Sequence, residues 1–143
     1  MSDSSTEFGL IDRYFAADHA GAQPGIALGI GDDAAIIGPC DAGAVVATSK
    51  TLASGIDFER NADSSELGAR LVRHCLASLR NRNAVPAFAM LALTAPRVDE
   101  QWLSDFSTGL TAELRTFELP LVGGDTTRGP LTINLTLYAW AQS

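Results

Sequence analysis

Cysteine is scarce in this chain. Cys40 and Cys75 are the two cysteines in 143 residues. They are too few for a disulfide framework and stand in no zinc-binding spacing, which points to a reducing compartment, the cytoplasm. Basic charge is scarce too. Ten lysines and arginines face 17 aspartates and glutamates, for a net charge of −7. A nucleic-acid-binding surface is therefore not expected, although a local basic patch is compatible with that balance. No apolar run approaches a membrane span. Met1 to Glu7 is polar and lacks the apolar stretch of a signal peptide. The chain has no match to the G-x-x-x-x-G-K-[ST] phosphate loop, no internal repeat and no low-complexity linker. Asn134-Leu135-Thr136 matches a glycosylation sequon, but it falls in a strand-like stretch of a chain expected in the cytoplasm and is not read as a site. With 46% hydrophobic and 19% charged residues, the composition is that of a folded globular chain. Residues 1–143 are expected to form one domain.

Hydrophobic periodicity supplies the elements. Phe8, Ile11 and Phe15 recur at helical spacing, so a short amphipathic helix is expected over Glu7 to Ala17. After a glycine- and proline-bearing loop, Ile26 to Ile30 reads as a short strand, and Ala34 to Ile37 is apolar again. Ala44 to Ser49 reads as a further strand. Asp63-Ser64-Ser65-Glu66 has the form of a helix N-cap followed three residues on by an acid. Leu67, Leu71, Cys75 and Leu79 then predict a helix from Ser64 to Arg82. Pro86 breaks it, and Phe88 to Thr94 reads as a buried strand. Asp99 is expected to cap a second long helix with Leu103, Phe106, Leu110, Leu114 and Phe117 on one face. Leu119 to Val122 and Leu131 to Trp140 read as the last strands. In the latter, Ile133, Leu135 and Leu137 alternate with Thr132, Asn134, Thr136 and Tyr138, as on a sheet with one polar face. The fold class is α+β, a mixed sheet with helices on one face.

Three polar stretches stand out. Gly123 to Pro130 (Gly-Gly-Asp-Thr-Thr-Arg-Gly-Pro) reads as a tight loop between two strands. Its glycines allow close backbone approach, Asp125 offers a carboxylate, Thr126 and Thr127 hydroxyls, and Arg128 a planar cation. That set suits a phosphorylated ligand with a divalent cation; read alone, it fits an ordinary polar turn equally well. Gly29-Ile30-Gly31-Asp32-Asp33 sets two carboxylates side by side, either solvated or on a metal. Thr48-Ser49-Lys50-Thr51 reads as a strand exit whose hydroxyls could meet metal or phosphate. His74 and Cys75 are adjacent and point apart on a helix, so they are not read as a metal pair. His74, Ser78 and Arg82 are expected on one polar face, Arg73 and Arg80 in solvent, and Trp102 and Trp140 in packing roles.

Taken in order, Glu7-Phe8-Gly9-Leu10-Ile11, Gly29 to Ala34, Thr51-Leu52 with Gly55 and Phe58, Leu91-Ala92-Leu93-Thr94, and Gly123 to Pro130 resemble the N-terminal domain of bacterial thiamine-monophosphate kinase over nearly the whole chain. Its superfamily includes aminoimidazole ribonucleotide synthetase. The resemblance implies ATP- and magnesium-dependent phosphorylation of thiamine monophosphate to thiamine diphosphate. It also implies a homodimer that joins its sheets, with ATP near the interface. By the same resemblance Asp32, Asp33, Thr48, Ser49 and Asp125 are metal-binding positions. Gly123, Gly124, Asp125, Thr126 and Arg128 are nucleotide-binding ones.

The departures from that pattern are specific. Lys50 and Ser78 stand where the family has aspartates, and Asp57 stands where it has a substrate-associated histidine. Two hard ligands fewer imply a weakened metal site. Lys50 is expected to pair with Asp33 or Asp125 in the metal's place. The family's second domain does not follow in this sequence, and the isolated chain is expected to be inactive. The alternative is a non-catalytic dimerisation or nucleotide-binding module of the same descent.

Overall fold

The computed structural model describes Gly9 and residues 12–16, 26–28, 36–37, 45–80 and 82–142. Asp32, Asp33 and Cys40, and most of the expected N-terminal helix, lie outside them. A π-helical turn, Asp12–Ala16, carries Phe15 into the core. Strands β1 (Ile26–Leu28) and β2 (Ile36–Ile37) form an antiparallel ribbon. Then come β3 (Val45–Ala53), α1 (Ser64–Ala77), β4 (Ala84–Ala95), α2 (Glu100–Thr116), β5 (Leu121–Arg128) and β6 (Thr132–Ala141). Among the described residues no helix is long and apolar enough to cross a membrane.

The main sheet has the order β3-β6-β4-β5. The central strand β6 is antiparallel to both β3 and β4, and β5 lies parallel to β4 at the edge. The crossovers β3-α1-β4 and β4-α2-β5 step the same way across the sheet. Crossovers of one hand then place both helices on one face. This is the expected mixed α+β arrangement. On that face Ile133, Leu135, Leu137 and Ala139 of β6 are fully buried, beside Ala89, Leu91 and Leu93 of β4 and Leu52 of β3. Each buried leucine or isoleucine contributes about 1.5–3 kcal/mol. Opposite them lies a polar ladder. Asn134 Nδ2 donates to Ser49 Oγ and to Thr51 Oγ1, both at 2.8 Å, and Ser49 Oγ lies 3.1 Å from Thr136 Oγ1. Phe88 and Tyr138 stack at 4.9 Å, with Trp140 at the edge of Phe88.

Both expected caps are present. Asp63 accepts from Ser65 N at 3.0 Å and Asp99 from Trp102 N at 3.1 Å. Glu66 does not reach back to the cap; it pairs with Arg73, which also meets Glu113 at 3.7 Å. Arg73 is thus in ion pairs rather than only in solvent. Helix α1 stops at Ala77, short of Arg82, and the chain continues in turns with Leu79 still in the core. His74, Ser78 and Arg82 therefore do not continue one helical face. Phe117 caps the end of α2 and is 46% exposed, not part of its buried stripe. Pro86 lies inside β4 beside an irregularity in its pairing with β6, where the missing N–H is tolerated. Trp102 stacks on Phe106 at 4.9 Å, a packing role as expected.

Helices α1 and α2 touch through glycine. A Cβ on Gly109 would lie 1.8 Å from the Ser65 carbonyl oxygen, and one on Gly68 would lie 2.6 Å from that of Phe106. Alanine at Gly109 gains about 1 kcal/mol of helix propensity but forces the helices apart. Gly109→Ala is expected to lower stability by a net of about 2 kcal/mol, read from urea denaturation midpoints; an unchanged midpoint would show that α2 can lift off α1 freely.

Cys75 is fully buried and its thiol donates to the Leu135 carbonyl oxygen at 3.3 Å. Burial pushes the thiol from 9.0 up to about 11, while the backbone N–H and the charge of Lys50 act the other way. The raised value means that the folded state holds the proton more tightly. Its contribution to stability is complete below the unfolded value and is lost as pH rises through the folded one. Between pH 9 and about 11, the native protein is expected to lose stability more steeply than Cys75→Ala. Parallel slopes in denaturation curves across that range would disprove the assignment.

Candidate functional site

Gly123 to Arg128 is not a tight loop. The six residues are the body of β5, extended and paired in parallel with β4: Gly123 opposite Met90, Gly124 opposite Leu91, Asp125 opposite Ala92, Thr126 opposite Leu93, Thr127 opposite Thr94 and Arg128 opposite Ala95. The turn comes only at Gly129-Pro130, and the chain then passes across β4 to reach β6. Gly124 takes a φ of +157°, and a Cβ there would sit 1.6 Å from the Leu91 carbonyl oxygen. Only glycine lets β5 approach β4 at this register. The glycine pair thus serves strand pairing, and it leaves an exposed backbone at a sheet edge.

Strand alternation divides the motif between the two faces of the sheet. Asp125 and Thr127 lie on the open face, in register with Ala92 and Asn134 and with Thr94; Thr94 and Thr127 join hydroxyls at 2.8 Å. Gly124, Thr126 and Arg128 project toward the helix side, with Leu91, Leu93 and Ala95. Arg128 Nε donates to the Pro96 carbonyl oxygen at 3.4 Å.

Thr48-Ser49-Lys50-Thr51 is likewise not a strand exit. It lies in the middle of β3, which runs on to Ala53. Ser49 and Thr51 join the open-face ladder, whereas Thr48 and Lys50 alternate onto the helix face with Leu52. Lys50 lies close enough to Cys75 for its charge to act on the thiol. It is on the opposite face from Asp125, and β3 and β5 are separated by two strands, about 14 Å at ordinary strand spacing. The expected Lys50–Asp125 pair is therefore not made. Asp33 lies outside the described residues.

Asp57 and Ser78 have local roles. Asp57 Oδ2 accepts from Ala53 N at 2.8 Å and closes the turn after β3, where Gly55 has φ +80°. Ser78 caps α1, its Oγ 3.4 Å from the His74 carbonyl oxygen. Magnesium needs several hard oxygens in near-octahedral geometry. Asp125 is the single carboxylate of the described strands, Ser49 Oγ is engaged in the ladder, and no group of three or more His, Cys, Asp or Glu side chains gathers among the described residues. Those residues alone do not fit a magnesium ion.

One feature had no signal in the sequence. A cavity of about 780 Å³ opens on the helix side at the end of β5, lined by Arg60, Arg97, Arg128, Thr126, Trp102 and Phe15 among others. Its arginines come from three separate segments, so no local spacing announces them.

The family model for the AIR synthase related protein, N-terminal domain, matches residues 31–141. Thiamine-monophosphate kinase of Salmonella typhimurium is 37% identical over 134 residues, covering 94% of this chain and 41% of that protein. The crystal structure of thiamine-monophosphate kinase from Stenotrophomonas maltophilia K279a has a TM-score of 0.79 at 37% identity, over 94% of this chain and 42% of that one. A structure of AaThiL complexed with AMPPCP and TMP has a TM-score of 0.66 at 20% identity, over 97% and 43%; at that identity the likeness is one of fold. This chain spans about two fifths of the relatives' length. With the match reaching from residue 31 through β6, and the mixed sheet carrying its helices on one face, the chain belongs to the AIR synthase related protein family as an N-terminal domain.

Proposed function

We propose that this chain is the nucleotide-binding domain of a thiamine-monophosphate kinase. Such an enzyme moves the γ-phosphoryl group of ATP onto the terminal phosphate oxygen of thiamine monophosphate: the β–γ P–O bond breaks, a new P–O–P bond forms and ADP leaves. The observation that carries this is the 37% identity to thiamine-monophosphate kinase across 94% of the chain. AMPPCP in the AaThiL complex supports an ATP-type ligand. Gly123 and Gly124 leave the edge backbone bare for phosphate, and Asp125 stands beside them on the open face, with Thr126 and Arg128 reaching from the other side. Asp32, Asp33, Ser49 and Asp125 remain the proposed metal positions, in a cytoplasmic enzyme; Thr48, which alternates onto the helix face, leaves that set. Ser49 and Asp125 stand at opposite edges of one sheet, so a shared ion would need a second copy facing the first.

The second reading, a nucleotide-binding or dimerisation module without catalysis, is favoured by Lys50. It sets a cation where the family has an acid, on the opposite face of the sheet from Asp125. Calorimetry separates the two readings. With a dismantled metal site, ATP binds weakly and its affinity changes little between magnesium and EDTA. A strong magnesium requirement would establish an intact site and remove the case for degeneracy.

The open face supplies the assembly prediction. Val45 and Val85 are each 52% exposed at one end of it, beside Tyr138 and Trp140. A second copy laid against this face would cover them. Sedimentation velocity is expected to show a dimer at micromolar concentration, and a concentration-independent monomer would exclude it.

A further inference from the structure

The wall of the cavity beyond β5 is not all of one piece. Leu93 belongs to β4, Thr126 to β5, and Trp102 and Leu103 to α2. The strand ladders and the close contact of α1 with α2 tie these elements into one frame. Phe15 is different. Among the described lining residues it alone comes from the N-terminal segment, on the π-helical turn Asp12–Ala16. Turns of this kind are rare and are frequent at functional sites. Two sets of contacts hold the turn in place. Phe15 is buried in the core cluster, with Tyr14 partly buried against it. Arg13 Nη1 lies 2.8 Å from Glu100 Oε1, and both side chains are 54% exposed. The Arg13 guanidinium also stands 5.4 Å from the centre of the Tyr14 ring. Glu100 is the first residue of α2, between Asp99 and Trp102, which both line the cavity. The ion pair therefore sits at the rim and joins the turn to the frame.

We infer that the Asp12–Ala16 turn is a strap that opens and closes this cavity, with Phe15 as its closing wall and the Arg13–Glu100 pair as its latch. Burial of the phenyl ring favours the closed state. The latch is an exposed ion pair, weak and screened by salt, so it can be released without disturbing the frame. Losing a pair of this kind shifts an open–closed equilibrium by roughly two- to fivefold. The strap governs access alone. It stands whether the cavity takes the nucleotide of the preceding reading or another ligand.

Trp102 is the reporter, since it lies in the cavity wall. Trp140→Phe leaves it as the single tryptophan, and quenching of its fluorescence by acrylamide, a neutral probe, measures how far the cavity is open. In that background Arg13→Gln and Glu100→Gln are each expected to raise the quenching constant about twofold. The exchanged pair, Arg13→Glu with Glu100→Arg, is expected to bring it back toward the parent's value. Added salt is expected to raise quenching in the parent and to leave Arg13→Gln unchanged. Phe15→Ala removes the closing wall itself and is expected to give the largest rise. Thermal melts confirm that each variant is folded, and Phe15→Leu, with a smaller rise, replaces Phe15→Ala if that variant does not melt cooperatively. The inference is overturned if the latch variants quench like the parent, if the exchanged pair quenches like the single variants, if salt acts equally on parent and Arg13→Gln, or if shortening Phe15 changes nothing. ATP calorimetry on the same proteins keeps the two readings apart. Absence of ATP binding in every protein would sink the nucleotide reading and leave the quenching result standing, whereas ATP binding with unaltered quenching in the latch variants would sink the strap alone.

Discussion

Ile133, Leu135, Leu137 and Ala139 are all fully buried under the helices, while their neighbours Thr132, Asn134, Thr136 and Tyr138 face the other way. Because side chains alternate with a period of two, this burial locks β6 in register. A slip of one residue would drive a polar row into the core and the leucines out. Strand β6 also hydrogen-bonds both β3 and β4. Its register therefore fixes which face every residue of those strands presents, and through β4 it fixes β5 as well. Ser49, Lys50 and Asp125 owe their positions to this constraint.

Contacts at backbone distance hold the helices and the edge strand to that frame. Gly68 and Gly109 let α1 and α2 meet without intervening side chains, and Gly124 lets β5 close onto Leu91. The Cys75 thiol ties α1 to the Leu135 carbonyl of β6. In such contacts there is no flexible atom to give way, so added volume must be met by moving a whole element. The edge strand that carries Gly123 to Arg128 is thus a rigid platform, as suits a site that must hold polar groups in place.

That rigidity has a chemical consequence. An extended strand cannot turn Asp125 and Arg128 toward one point. Asp125 is left on the open sheet face and Arg128 in the arginine-lined cavity behind it. A ligand that uses both must pass around the bare edge of β5, where no further strand is paired among the described residues. The same alternation parts Ser49 from Lys50. It explains why an ammonium placed in the middle of a supposed metal motif acts instead on the buried Cys75 behind the sheet.

Local physics is legible in the sequence. The caps at Asp63 and Asp99, the apolar stripes of both helices and the alternation of β6 depend on neighbours within a turn or a strand, and the order of residues along the chain is enough to find them. So is the family, through motifs whose residues stand together in the chain. Where a segment ends is less legible. The polar residues Thr48 to Thr51 and Gly123 to Arg128 look like loops, because unpaired segments are polar, yet both are strands whose polarity faces an open sheet surface or an edge. Only pairing with β6 and β4 decides that, and those partners are supplied by other segments of the chain. The strand order, the separation of Lys50 from Asp125 and the gathering of Arg60, Arg97 and Arg128 are of the same kind. They are set by contacts between distant segments, whose closure is rewarded only when the whole core forms at once.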